Sequence, residues 1–89
     1  MKSRTTRRFR DGYAILPKAV QEHTRQAYRQ FQQDPGHPGL QFKKVHQKRL
    51  IYSARIGLNY RAVGLLSGDE IVWYWIGTHA EYDLLLAQM

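Results

Sequence analysis

The chain has no cysteine. Disulfides, thiolate nucleophiles and cysteine-held zinc are excluded. The absence agrees with a reducing compartment, and a cytoplasmic protein is expected. Long apolar runs are also missing. The longest is Ile71–Ile76, far short of the ~20 residues a membrane span needs. The basic start, Met1 to Phe9, leads into no hydrophobic segment, so no secretory leader is expected. There is no internal repeat, no low-complexity tract and no glycine-rich phosphate loop. His23, His37 and His46 have no metal-ligand spacing, so neither metal nor cofactor is expected.

Positive charge is absent from the last third of the chain. No lysine or arginine follows Arg61, and residues 62–89 carry four acids, Asp69, Glu70, Glu81 and Asp83, a formal −4. All 14 basic residues lie in residues 1–61, against three acids (Asp11, Glu22 and Asp34), a formal +11. Such segregation at pI 10.1 points to a polyanionic partner, nucleic acid above all.

The 89 residues are enough for one domain, taken as residues 1–89, with one modest core. Thr5–Phe9 is read as a short edge strand ended by Asp11-Gly12. A helix is predicted from Pro17 to Gln33. Leu16, Val20, Thr24, Ala27 and Phe31 fall near one face of it, and Pro35 ends it after Asp34. Asp34–Gly39 is a loop. Strands are predicted at Leu40–Val45, Leu50–Ile56, Tyr60–Leu66 and Glu70–Ile76, the last two joined as a hairpin by Ser67-Gly68-Asp69. Glu70–Ile76 is apolar on both faces, as a central strand covered on each side would be. Trp73, Tyr74 and Trp75 are assigned to the core. Thr78-His79-Ala80-Glu81 matches a capping box opening a short C-terminal helix. The fold class is α+β: a four-stranded antiparallel sheet, extended by the N-terminal edge strand, with a helix on one face and a short helix at the end.

Two groups of residues suggest chemistry. Lys43, Lys44, Lys48 and Arg49, with Arg55 and Arg61 beyond them, can gather across adjacent strands into a phosphate-gripping patch. Tyr52, Tyr60 and His46 offer stacking surfaces among them. The plain alternative is a solvated basic face, or arginines paired with Asp69, Glu70 or Asp83. His79, at the start of the last helix, is a proton carrier suited to acid–base work. Its plain alternative is a surface histidine beside a helix cap.

Taken in order, several stretches resemble the RelE/ParE superfamily of bacterial type II toxins. They are Leu16-Pro17-Lys18-Ala19-Val20, Phe31 with Asp34-Pro35, and Leu40-Gln41-Phe42-Lys43-Lys44-Val45. Ser53-Ala54-Arg55-Ile56-Gly57, Asn59-Tyr60-Arg61-Ala62 and Trp73 through Asp83 complete the set. The resemblance implies a RelE-like fold and an antitoxin partner encoded alongside. It implies a ribosome-dependent mRNA endoribonuclease that inhibits translation by metal-independent attack of a ribose 2′-OH on the adjacent phosphate. On that pattern Arg61 and Arg55 bind the reacting phosphate and His79 transfers a proton. Lys43, Lys44, Lys48 and Arg49 hold the RNA backbone, and Tyr82 is a candidate for the family's C-terminal tyrosine. Ser53 and Ala54 stand where well-known RelE enzymes carry lysines. The resemblance equally admits a ParE-like inhibitor of DNA gyrase with no chemistry, or a non-toxic relative that only binds antitoxin. The short C-terminal region without basic residues favours the ribonuclease.

Overall fold

The computed structural model describes residues 1–89. Its elements are β1 (Lys2–Thr5), α1 (Arg7–Ala14), α2 (Lys18–Gln33), a 3-10 turn at Pro38–Leu40, β2 (Lys43–Lys44), β3 (Ile51–Ile56), β4 (Tyr60–Ser67), β5 (Glu70–Thr78) and α3 (His79–Ala87). One sheet runs in the order β1-β5-β4-β3-β2. The β2–β5 pairs are antiparallel, and β1 lies parallel to β5 with Ser3 opposite Ile71 and Thr5 opposite Trp73. The α+β class and the four antiparallel strands are as expected, and β1 makes the sheet five-stranded and mixed.

The N-terminal expectation is corrected. Thr5–Phe9 is not a strand: the strand ends at Thr5, and Arg7–Ala14 is helical. Thr6 stops the strand by capping α1, its Oγ1 accepting from the Phe9 N–H at 3.2 Å. Phe9 and Tyr13, one turn apart, both face the core. Gly12 permits contact with β5 rather than breaking the helix, since a Cβ there would sit 3.3 Å from Ile76 Cγ2. The Gln21 side chain on α2 donates to the carbonyls of Tyr13 (3.0 Å) and Ala14 (3.2 Å), tying the end of α1 to α2.

Leu40–Val45 also falls short of the strand expected. Pro38–Leu40 forms a 3-10 turn, and Gln41 adopts a left-handed φ of 45°. Only Lys43 and Lys44 then pair with β3. Helix α2 begins at Lys18, with Pro17 as its N-terminal flank, and ends at Gln33, so its span is as predicted.

The sheet is covered on both faces. Helices α1 and α2 lie over one, around Phe31, Ala54, Ala62, Ile71 and Trp73. Helix α3 crosses the other, where Tyr82 meets Ile51 and Val63. Strand β5, flanked by β1 and β4, is an interior strand with packed residues on both faces, as its apolar sequence implied, although β4 rather than β5 is the middle strand of the sheet. A register shift at Val63/Gly64 accommodates the Trp73 ring, whose Cε3 would lie 2.9 Å from a Cβ on Gly64. No helix is long and apolar enough to cross a membrane.

Candidate nucleic-acid interface and active site

Strand register sets the site. Arg55 on β3 lies directly opposite Arg61 on β4, and Arg61 opposite Gly77 on β5. Directly opposed residues share a face. Arg55 and Arg61 therefore start from the face of Ser53 and Val63, which α3 partly covers. Two residues beyond Gly77, the chain enters α3 at His79. The His79 N–H donates to the Asn59 carbonyl at 2.7 Å, fixing the helix start beside the β3–β4 turn.

The capping box forms. Thr78 Oγ1 accepts from the Glu81 N–H at 3.1 Å, and Glu81 Oε1 accepts from the Thr78 N–H at 2.9 Å. The Thr78 hydroxyl also donates to Glu81 Oε1 at 2.9 Å, and the bonds from the Thr78 backbone N–H and hydroxyl hold the Glu81 carboxyl below the usual range. His79 Nδ1 lies 3.1 Å from Asp83 Oδ2 one turn along. A carboxylate can only accept, so Nδ1 carries the hydrogen and Nε2 is left free.

Tyr82, the candidate for the family's C-terminal tyrosine, is a buried residue of α3. It is 6% exposed, and its hydroxyl donates to Ser53 Oγ at 3.0 Å in the buried face. Its ring supports His79 edge-to-face, with centroids 5.7 Å apart.

The two arginine heads diverge. Arg61 Nη1 donates to the Tyr60 carbonyl at 2.8 Å. Arg55 Nε donates to the Gly57 carbonyl at 2.9 Å. Because β2 pairs only with Tyr52 and Ser53, the β3 edge at Arg55 is open. Arg55 there lines a shallow cleft of about 230 Å³ with His23, Gln26, Gln30 and His37. Sequence reasoning left His23 and His37 unassigned, since only folding sets α2 and the loop beside Arg55.

The expected lysine patch is split. Lys43 pairs with Ser53 and shares its face, whereas Lys44 pairs with Tyr52 and takes the opposite one. Lys48 and Arg49 belong to the β2–β3 loop, where their N–H groups donate to His46 Nδ1 at 3.1 and 2.9 Å. His46 thus organises the loop and leaves both basic side chains exposed. Arg49 and Arg8 both act on Tyr74; burial pushes its hydroxyl up, and the two cations partly offset this. Arg8 is a further cation near Tyr74 that the strand assignment missed, although the Arg7-Arg8-Phe9-Arg10 run signalled it.

Four of the seven acids form ion pairs elsewhere. Glu70 pairs with Arg4 (3.2 Å), Asp11 with Arg7 (3.9 Å), Glu22 with Arg25 (2.8 Å) and Arg29 (4.0 Å), and Asp83 with His79. Lys43, Lys44, Lys48, Arg49, Arg55 and Arg61 have no carboxylate within 4.0 Å, so the pairing considered for Arg55 and Arg61 does not form.

Comparison with known proteins agrees with this architecture. The model of the ParE-like toxin domain matches residues 18–83. The chain therefore belongs to the ParE-like toxin domain family. Among solved structures it resembles the toxin of the RelB–RelE antitoxin–toxin complex from Methanococcus jannaschii. That match has a TM-score of 0.72 and 20% identity, covering 90% of this chain and 95% of that one. YafQ from Escherichia coli strain BL21(DE3) gives a TM-score of 0.72 at 9% identity over 91% and 96% of the two chains. The YoeB/ParE toxin from Agrobacterium tumefaciens gives 0.70 at 19% identity over 89% and 99%. The fold is thus RelE-like. No curated protein matches the sequence.

Proposed function

We propose that this toxin cleaves messenger RNA on the ribosome and so arrests translation. The observation that carries the reading is Arg61, with no carboxylate partner, on the α3-covered face at the sheet end that leads into His79, with further unpaired cations farther along the sheet and in the β2–β3 loop. Six basic side chains without a carboxylate partner offer a field for an RNA backbone. In the proposed step His79 Nε2 takes the proton from a ribose 2′-OH. The O2′–P bond forms, the P–O5′ bond breaks, and the leaving 5′ oxygen takes a proton from solvent, leaving a 2′,3′-cyclic phosphate. Arg61 neutralises the charge that develops on phosphorus-bound oxygens, while Arg55, whose head turns into the cleft beside α2, adds to the positive field from the β3 edge. Tyr82 holds the His79 ring in place. Lys43, Lys48 and Arg49 steer the strand, and Lys44 adds to the field from the other face. A protein antitoxin is the expected partner, as in the RelB–RelE pair from Methanococcus jannaschii.

The test is wild-type protein beside His79→Ala in a translating extract with mRNA 5′ ends mapped. New ends on translated message, absent with His79→Ala, are expected. Intact message with arrested translation overturns the reading. The ParE-like description of the family supports a second reading, inhibition of DNA gyrase without chemistry. That reading requires an induced DNA-damage response with intact message.

A further inference from the structure

A cavity of about 380 Å³ opens between α1, α2 and the sheet, on the face away from His79 and Tyr82. Its walls are apolar and include Phe9, Ala27, Tyr28, Phe31, Ala54 and Trp73. The volume falls in the range of small-molecule sites. Trp73 is 3% exposed, and its Nε1 is a buried donor with no hydrogen-bond partner. A buried N–H left unpaired is costly and uncommon. The Cε3 edge of the indole faces Gly64 on β4. The ring packs edge-to-face against Phe31 and Phe42, and Trp73 forms part of the cavity wall.

The mouth has a definite charge. Arg10, Arg25 and Arg29 line it. Arg10 Nη1 is tied to the Thr5 carbonyl at 2.7 Å, and Arg25 to Glu22 and the Tyr13 hydroxyl. Three guanidiniums against one carboxylate leave the rim positive, with Arg29 only loosely engaged at 4.0 Å. The interior is thus an apolar chamber walled by Trp73 and its neighbours, and the entrance combines cations on two helices.

We propose that this cavity is a binding site for a small amphipathic carboxylate. Its apolar body enters the chamber and meets Trp73, and its anionic end stays at the arginine rim. An uncharged apolar molecule leaves the arginine rim without a partner. An inorganic anion leaves the chamber empty. The site is separate from the proposed RNA chemistry, and its test does not depend on toxicity.

The test follows the Trp73 indole N–H by NMR in a Trp75→Phe background, which leaves a single indole signal. The probes are 4-phenylbutyrate and its uncharged counterpart 4-phenylbutan-1-ol. Saturable movement of the Trp73 signal by the carboxylate is expected, with the alcohol about tenfold weaker. Arg29→Gln should weaken the carboxylate about fivefold and leave the alcohol unchanged. Ala27→Leu, which fills the chamber, should abolish the movement for both. Equal affinity for acid and alcohol, no movement at millimolar carboxylate, or movement that survives Ala27→Leu overturns the proposal.

Discussion

His79 and Asp83 are joined across one turn of α3, with Nδ1 3.1 Å from Oδ2. The pairing leaves Nε2 as the ring's free nitrogen, and the Tyr82 ring fixes the imidazole from the side. If His79 moves the proton, its removal should cost about 10²–10⁴-fold in cleavage. Asp83→Asn keeps the shape but loses the acceptor that sets the tautomer, so a smaller loss is expected, mainly in kcat rather than KM. Single-turnover cleavage of ribosome-bound message by the two variants checks this. A full-rate His79→Ala protein would exclude the assignment.

Salt dependence distinguishes the basic residues. Each lysine or arginine that contacts a single-stranded phosphate contributes about −0.7 to the slope of log K against log salt. Lys43→Gln and Arg49→Gln should each flatten the slope of RNA binding by about that amount. Lys44→Gln should change it less, because its strand register turns it to the opposite face. Fluorescence anisotropy with a short RNA across a salt series measures this. Equal effects at Lys43 and Lys44 would mean the RNA follows the sheet edge rather than one face.

The buried pair Tyr82–Ser53 links α3 to β3 through a 3.0 Å hydrogen bond. Tyr82→Phe strands the Ser53 hydroxyl, 2% exposed, and should destabilise the fold by about 1–3 kcal/mol. Ser53→Ala alone should cost a similar amount by stranding the phenol. The double variant should lose clearly less than the sum, since both partners are then gone. Urea unfolding of the four proteins gives the coupling. Additive losses would mean that the hydroxyls do not depend on one another.

Much of this architecture was legible from side-chain spacing. The period along Leu16–Phe31, the double-sided apolar run of β5, the hairpin turn and the Thr78–Glu81 cap each identified their elements. Helix α1 was hidden because Asp11-Gly12 reads as a break, while its real signals were the Thr6 cap and the Phe9–Tyr13 spacing. Strand β2 shrank because a left-handed Gln41 has no sequence mark. At the site, sequence grouped the cations by proximity along the chain. Only the pairing register shows that Lys43 and Lys44 part company, and only the truncated β2 explains why the Arg55 head lies at an open edge. The cavity under α2 was illegible, because it arises from how two helices settle on a sheet rather than from a local pattern.

Gly64 is the position where β4 and the core permit no side chain. A Cβ there would lie 2.9 Å from the Trp73 ring and 3.0 Å from Ile71 Cγ1, and both neighbours are buried. Gly64→Ala should therefore cost about 1–3 kcal/mol from overpacking. In a domain of this size each kcal/mol lowers Tm by about 4–8 °C. Thermal unfolding checks the loss, and an unchanged Tm would mean the Trp73 ring has room to move.

The cap of α3 makes stability depend on pH with a definite sign. Thr78 bonds hold the Glu81 carboxyl below its ordinary value of 4.5 in the folded chain. The folded state then binds its proton less readily than the unfolded one. The contribution is present above that ordinary value and fades as pH falls through the lower folded one. Glu81→Gln should be less stable than wild type at pH 7, and the gap should close as acid protonates the wild-type carboxyl. Thr78→Ala removes the hydroxyl acceptor and should cost about 1 kcal/mol. Part of that loss should persist in acid, because a hydroxyl does not titrate in this range. Paired denaturation curves at pH 7 and well below 4.5 test both. A Glu81→Gln gap that widened in acid would show that the carboxyl is not held by the cap.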